Sequence, residues 1–234
     1  MISSRYFGPS AAQQPPIPFP EGPCPRTSLR VGPHGPYDFP FHMNRLKVTA
    51  AFLGETPGWL NDVEGDLTDW LVSGSALQER ALRLRLHLEA GVLYAEVGPI
   101  PSVVKPYRLH PMPHPLSSLR MDPITRHKGL CGSWSRDALH AASEAGRQDA
   151  LLLWPEGTLA ETAIAAVGLE IGNALLIPPP EGRVTSIAEA LALPDWAAQR
   201  GLQLQQFPIP LARIKEGQLW CMNAVRGIWP ATVD

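Results

Sequence analysis

The chain has 234 residues, 44% hydrophobic and 18% charged, enough to bury a sizeable core as one large domain or two small ones. Twenty basic and 22 acidic residues leave a formal net charge of −2, which excludes a strongly basic nucleic-acid surface and an acidic solvating tail. The 26 prolines and 20 glycines imply many turns, yet the hydrophobic content is too high for wholesale disorder. Cys24, Cys131 and Cys221 form no CxxC pair, so neither a zinc knuckle nor a disulfide framework is indicated. Residues 1–26 show no apolar segment with basic flanks, and the longest apolar stretch, 159–180, carries Glu161, Glu170 and Asn173. The expectation is a cytoplasmic protein without a membrane span.

Residues 1–40 hold ten prolines and read as an extended arm with little regular structure. Thr27–Val31 predicts a short strand and 32–36 a turn. Met43, Leu46, Ala50 and Leu53 recur on one face and predict a helix over 42–53, stopped at Gly54. Residues 60–77 are mixed and suit a second helix. Leu82, Leu84, Leu86 and Leu88 alternate with Arg83, Arg85 and His87, the pattern of a half-buried strand, and Gly91 turns the chain into its partner over 92–97. Residues 99–115 are proline-rich again, and 111–115 read as an interdomain linker.

Beyond it, 135–145 predicts a helix stopped by Gly146, 150–154 a buried strand, and 174–177 another strand. Ser186 and Glu189 have capping-box spacing before a helix that Pro194 is expected to interrupt. The tail, 202–229, alternates like strands. No internal repeat occurs. The fold class is α+β, with a proline-rich arm over 1–26, a small α+β subdomain over 27–115 and a larger one over 116–234.

Among chemical motifs, HExxH, Gly-x-Ser-x-Gly, GxGxxG and the P-loop are absent. His110 and His114 are four apart, but Pro111 and Pro113 forbid a helix there, and both read as solvated loop histidines. No metal site is expected. Two segments stand out. Arg126-His127-Lys128-Gly129-Leu130 carries one of only four lysines. Residues 159–167 set Glu161 among small apolar residues, where it should be partly buried and in need of a cationic or proton-donating neighbour. An ordinary salt bridge would satisfy it equally.

Six blocks then fall in a familiar order. They are Thr27-Ser28-Leu29-Arg30-Val31, His42-Met43-Asn44-Arg45-Leu46, Arg126-His127-Lys128, Asp149–Leu153 with Gly157–Thr162, Pro178-Pro179-Pro180 with Gly182-Arg183-Val184-Thr185, and Asn223-Ala224-Val225-Arg226-Gly227. Over about 27–230 the chain resembles the class IV aminotransferases, the fold-type IV pyridoxal-phosphate enzymes. That family includes branched-chain and D-amino acid aminotransferases and 4-amino-4-deoxychorismate lyase, to which the short first half leans. The resemblance departs after Lys128, where Gly129–Trp134 replaces Thr-Thr-Asn-Arg, and after Glu161, where the usual Gly and Asn are missing.

The resemblance implies pyridoxal 5'-phosphate as cofactor and Lys128 as the residue that bonds to it covalently and moves the substrate proton. It implies Glu161 opposite the ring nitrogen. Arg45, the backbone of Val184 and Thr185, and the Ala224 N–H would meet the phosphate, Ala224 standing where relatives often have Ser or Thr. It implies a small-molecule amine substrate and a homodimer, with no nucleic-acid or membrane partner. Three activities remain open: the lyase forming 4-aminobenzoate and pyruvate for folate synthesis, an aminotransferase for D-amino or branched-chain amino acids, and a degenerate binding protein.

Overall fold

A computed structural model of the chain describes residues 3–8, 22–55, 58–73 and 81–233. They divide into two compact units. The first comprises the described residues up to Pro101 together with His127–Gly132; the second comprises Ser102–Arg126 and the described residues from Ser133 onward. The sequence reading instead divides the chain at 115/116 and assigns Lys128 to the later part.

The first unit is a five-stranded antiparallel sheet covered on one face by two helices. Its strands are β1 (Ser3–Phe7), β2 (Arg26–Gly32), β3 (Gly35–Pro36), β4 (Leu82–Glu89) and β5 (Val92–Pro99), in the spatial order β1-β5-β4-β2-β3. The strict alternation of β4 puts Leu82, Leu84, Leu86 and Leu88 in the core with Leu29 and Val31 of β2. β4 and β5 are joined through Ala90 and Gly91, both at positive φ (49° and 74°), the turn whose twist matches the hairpin. Ser3–Phe7, expected within an extended arm, is instead an edge strand. Tyr6 opposes Tyr94 edge-to-face at 5.1 Å, and Phe7 is buried against Trp70. Residues 9–21 of that arm lie outside the described residues.

Helix α1 (Phe39–Phe52) starts after Asp38 in the left-handed region and carries Pro40 in its first turn. It buries Met43, Leu46 and Ala50. Helix α2 (Leu60–Ser73) buries Leu60, Val63, Leu67 and Leu71, one stripe at helical spacing.

The second unit is built on an eight-stranded sheet. Its strands are β6 (Arg108–Pro113), β7 (Asp149–Leu153), β8 (Leu159–Thr162), β9 (Ala166–Ile171), β10 (Ala174–Ile177), β11 (Gln203–Gln206), β12 (Gln218–Asn223) and β13 (Gly227–Val233). The order is β11-β10-β9-β12-β13-β6-β7-β8. Helix α3 (Trp134–Glu144) packs on β7, and α4 (Ile187–Gln199) packs beside β11, β12 and β13.

Two expectations are corrected here. Residues 111–115 are not a linker: Pro111 and Pro113 belong to β6, parallel to both β7 and β13. The alternation explains why prolines are tolerated. His114 N–H donates to Leu153 O of the β7 side, so His110 and Met112 share that direction and the two prolines face the opposite edge. Among the described residues β13 pairs there with Arg108 and Leu109, before the prolines. Nor does Pro194 interrupt α4. Pro194 and Ala190, whose carbonyl it deprives of a donor, both lie on the exposed side, where water replaces the lost bond.

Candidate active site

Lys128 sits on a turn bound to the first unit by its backbone. Arg26 N–H donates to Lys128 O and Cys24 N–H to Gly129 O, each at 3.2 Å, and Arg26 Nη2 reaches Gly132 O at 3.1 Å. His127 stacks on Phe52 of α1 at 4.1 Å, with Nδ1 3.3 Å from Thr49 Oγ1. A Cβ at Gly129, whose φ is +103°, would stand 2.1 Å from Cys24 O, so the turn lies on β2 as closely as a backbone can. This docking is why His127–Gly132 belongs to the first unit.

Arg45 projects from α1, and burial pushes its guanidinium down to about 10. One turn earlier, His42 is buried with Nδ1 2.7 Å from Thr27 Oγ1, and its Nε2 has no hydrogen-bond partner. Burial, then the charges of Arg45 and Lys128, push His42 down to about 3. His87, across β2, is likewise pushed down to about 3 by burial and by Arg26, Arg85 and Lys128. Both imidazoles are therefore neutral at pH 7, and the positive charge of this cluster resides on lysine and arginine.

In the second unit Glu161 lies in β8, where all four residues are buried. Its residue exposure is 9%, as expected for a carboxylate among small apolar side chains. His114 is not a solvated loop histidine. Its ring is fully buried and stacks on Trp154 at 4.4 Å and 12°. Its Nε2 stands 3.6 Å from Glu161 Oε1. Sequence reasoning missed this because Pro111-Met112-Pro113 disguised the strand that delivers His114.

Thr162 closes the turn after Glu161 by accepting at Oγ1 from Ala165 N–H at 2.9 Å. Asn223 Nδ2 donates to Ile164 O in that turn, and Asn223 Oδ1 accepts from Val225 and Arg226 N–H, which leaves Ala224 at the tip of the β12–β13 turn.

Val184 and Thr185 precede α4 and do not cap it. Ser186 is the N-cap residue but makes no side-chain cap hydrogen bond, and the capping box does not form. The reason is Arg183, 1% exposed, which takes both oxygens of Glu189 and the carbonyls of Pro178 and Pro179. No sequence signal marked Arg183.

The sequence matches the amino-transferase class IV family over residues 27–233, and the chain belongs to that family. It is a pyridoxal-phosphate-dependent enzyme. The pyridoxal-phosphate-bound form of a hypothetical aminotransferase from Mycobacterium tuberculosis matches with a TM-score of 0.76 at 18% identity, over 99% of this chain and 91% of that one. A protein provisionally described as 4-amino-4-deoxychorismate lyase gives 0.76 at 22%, over 93% and 89%. One from Thermotoga maritima, provisionally described as a branched-chain amino acid aminotransferase, gives 0.75 at 16%, over 98% and 86%. At these identities the likeness concerns the fold. A comparison with curated proteins gives no match. Among the described residues no helix is long and apolar enough to cross a membrane, and no group of His, Cys, Asp and Glu could hold a metal ion.

The residues fit the family's cofactor. Glu161 is buried, yet His114 Nε2, 3.6 Å from Oε1, is beyond hydrogen-bond length. The first-turn N–H groups of α4 lack a side-chain cap. A carboxylate still short of a donor and a helix start still short of an acceptor suit a ring N–H and a phosphate.

Proposed function

We propose that the protein is a lyase that converts 4-amino-4-deoxychorismate to 4-aminobenzoate and pyruvate, as a step of folate synthesis. The observation that carries this reading is the face of the first sheet opposite its core. Arg26 and Arg30 of β2 share it with Arg83 and Arg85 of β4, and Arg30 stands directly across from Arg83. Glu96 of β5 contacts Arg85 at 3.4 Å and Arg83 at 4.0 Å. Like charges opposed across strands are unfavourable alone. Two guanidinium groups share the Glu96 carboxylate, with Arg26 and Arg30 on the same face, and a face so rich in arginine suits a substrate with two carboxylates, which 4-amino-4-deoxychorismate has and a branched-chain amino acid lacks. The same sheet carries the Lys128 turn through Arg26.

In this reading Lys128 would hold pyridoxal phosphate, Glu161 would pair with its ring nitrogen, and Arg45, Val184, Thr185 and Ala224 would hold its phosphate. Bound there, the cofactor supplies an electron sink conjugated with the substrate amine. The Lys128 amine, free once the substrate amine has taken its place, would take the proton from the ring carbon that bears the substrate nitrogen. The ether C–O bond breaks, the ring becomes aromatic, and the departing enolpyruvate gains a proton to become pyruvate, so no hydrogen is gained or lost overall. The neutral His42 and His87 add no charge of their own beside Lys128. Following the family resemblance, we read the enzyme as a cytoplasmic homodimer.

Borohydride reduction with peptide mapping tests the cofactor assignment: the cofactor mass is expected on Lys128. Product assays test the reaction. Equimolar 4-aminobenzoate and pyruvate support the lyase. Keto-acid formation from a D-amino or branched-chain amino acid, without 4-aminobenzoate, replaces it with the aminotransferase.

A further inference from the structure

We infer that His114 is the positioning residue for Glu161, holding its carboxylate toward the cofactor through Nε2–H; this rests on the role proposed for Glu161. Every other polar atom of His114 is already committed. Its backbone N–H donates to Leu153 O at 2.8 Å, and its carbonyl accepts from Ser117 N–H and Ser117 Oγ. Nδ1 accepts from Leu116 N–H at 3.0 Å. An Nδ1 that accepts fixes the neutral ring as the Nε2–H tautomer. That proton is completely buried without a hydrogen-bond partner, and the acceptor it faces is Glu161 Oε1 at 3.6 Å.

The ring cannot turn away. It lies flat on Trp154, with Trp134 tilted against it at 5.4 Å, and Arg120 covers the Trp154 ring at 4.5 Å while pairing with Glu156. Gly182 sits against the same tryptophan, where a Cβ would stand 2.7 Å from its ring. The donor is therefore held in place by the rings packed on it. A shift of a few tenths of an ångström closes the hydrogen bond and fixes one oxygen of Glu161, leaving the other for the cofactor nitrogen.

The test uses the full chain with three substitutions. In the cofactor-free protein, the His114 Nε2 proton should be visible by long-range proton–nitrogen NMR and should shift in Glu161→Gln. His114→Phe keeps the stacked ring and removes the Nε2 donor together with the Nδ1 acceptor of Leu116 N–H; it should weaken pyridoxal-phosphate binding about tenfold and lower thermal stability only by the loss of that one bond. His114→Gln restores a donor near the Nε2 position and should recover most of that loss. An Nε2 proton unmoved by Glu161→Gln, or a His114→Phe protein that binds cofactor as tightly as wild type, overturns the inference. A shifted proton together with unchanged cofactor affinity in Glu161→Gln overturns the role of Glu161 itself and, with it, any cofactor role for His114.

Discussion

The Arg183 guanidinium spans both carboxylate oxygens of Glu189, Nη1 to Oε2 and Nη2 to Oε1, each at 2.7 Å. Burial works against the Arg183 charge, but the hydrogen bonds and charge of Glu189 outweigh it and raise the guanidinium above its ordinary range. The remaining donors hold Pro178 O at 2.7 Å and Pro179 O at 3.1 Å, so one side chain ties the proline run to the first turn of α4. Removing one partner of a buried ion pair leaves the other uncompensated, at a cost of about 3–5 kcal/mol. Arg183→Met is expected to lose that much in urea unfolding. The Arg183→Met, Glu189→Leu double variant should recover part of it, because no buried charge is then left alone.

The two buried histidines of the first unit set its acid sensitivity. His42 and His87 are held neutral to about pH 3, whereas in the unfolded chain they take up protons near 6.5. Their contribution to stability is full above about pH 6.5 and is lost as pH falls toward 3, with a slope of about 1.4 kcal/mol per pH unit for each. Unfolding free energies at pH 7, 6 and 5 should fall accordingly, and His42→Gln, which keeps a polar partner for Thr27, should lessen the slope. An unchanged slope in both His42→Gln and His87→Gln would refute this.

Asp149 acts in the opposite direction. Burial pushes its carboxyl up to about 6, although hydrogen bonds from Thr162, Ala150 N–H, Tyr107 and Ala163 N–H restrain the rise. Between about 3.8 and 6 the native state binds the proton more strongly than the unfolded chain, so this group's contribution declines as pH rises through that window. Relative to Asp149→Asn, the wild type is expected to lose about 2 kcal/mol between pH 4 and pH 7. A constant difference between the two proteins would place the Asp149 carboxyl near its ordinary range.

Much of this was legible in the sequence where one local rule acted alone. The leucine alternation of β4 and the helical stripe of α1 needed no tertiary information, and the six ordered blocks led to the family. What escaped were residues whose role is set by partners distant in sequence. The prolines of β6 fit a strand because the alternation points their missing donors away from β7. His114 looked solvated because its stacking partner, Trp154, lies forty residues later. Ser186 and Glu189 had capping-box spacing, but Arg183 claims the glutamate. Lys128 was read with the residues that follow it, whereas its turn is hydrogen-bonded to β2.

Gly129 makes that last relationship testable. An added Cβ would stand 2.1 Å from Cys24 O, at a φ of +103° that side chains avoid, and neither the β2 backbone nor the turn can yield without breaking the Cys24 and Arg26 hydrogen bonds. Gly132 is the control: its φ is also positive, +80°, but a Cβ there meets nothing within 4 Å. Gly132→Ala incurs backbone strain alone, about 1–2 kcal/mol. Gly129→Ala adds the clash and displaces Lys128. After borohydride treatment, cofactor mass on Lys128 is expected to drop at least tenfold in Gly129→Ala and to stay near wild type in Gly132→Ala. Equal labelling in the two variants would show that the docking of the turn on β2 does not place the lysine.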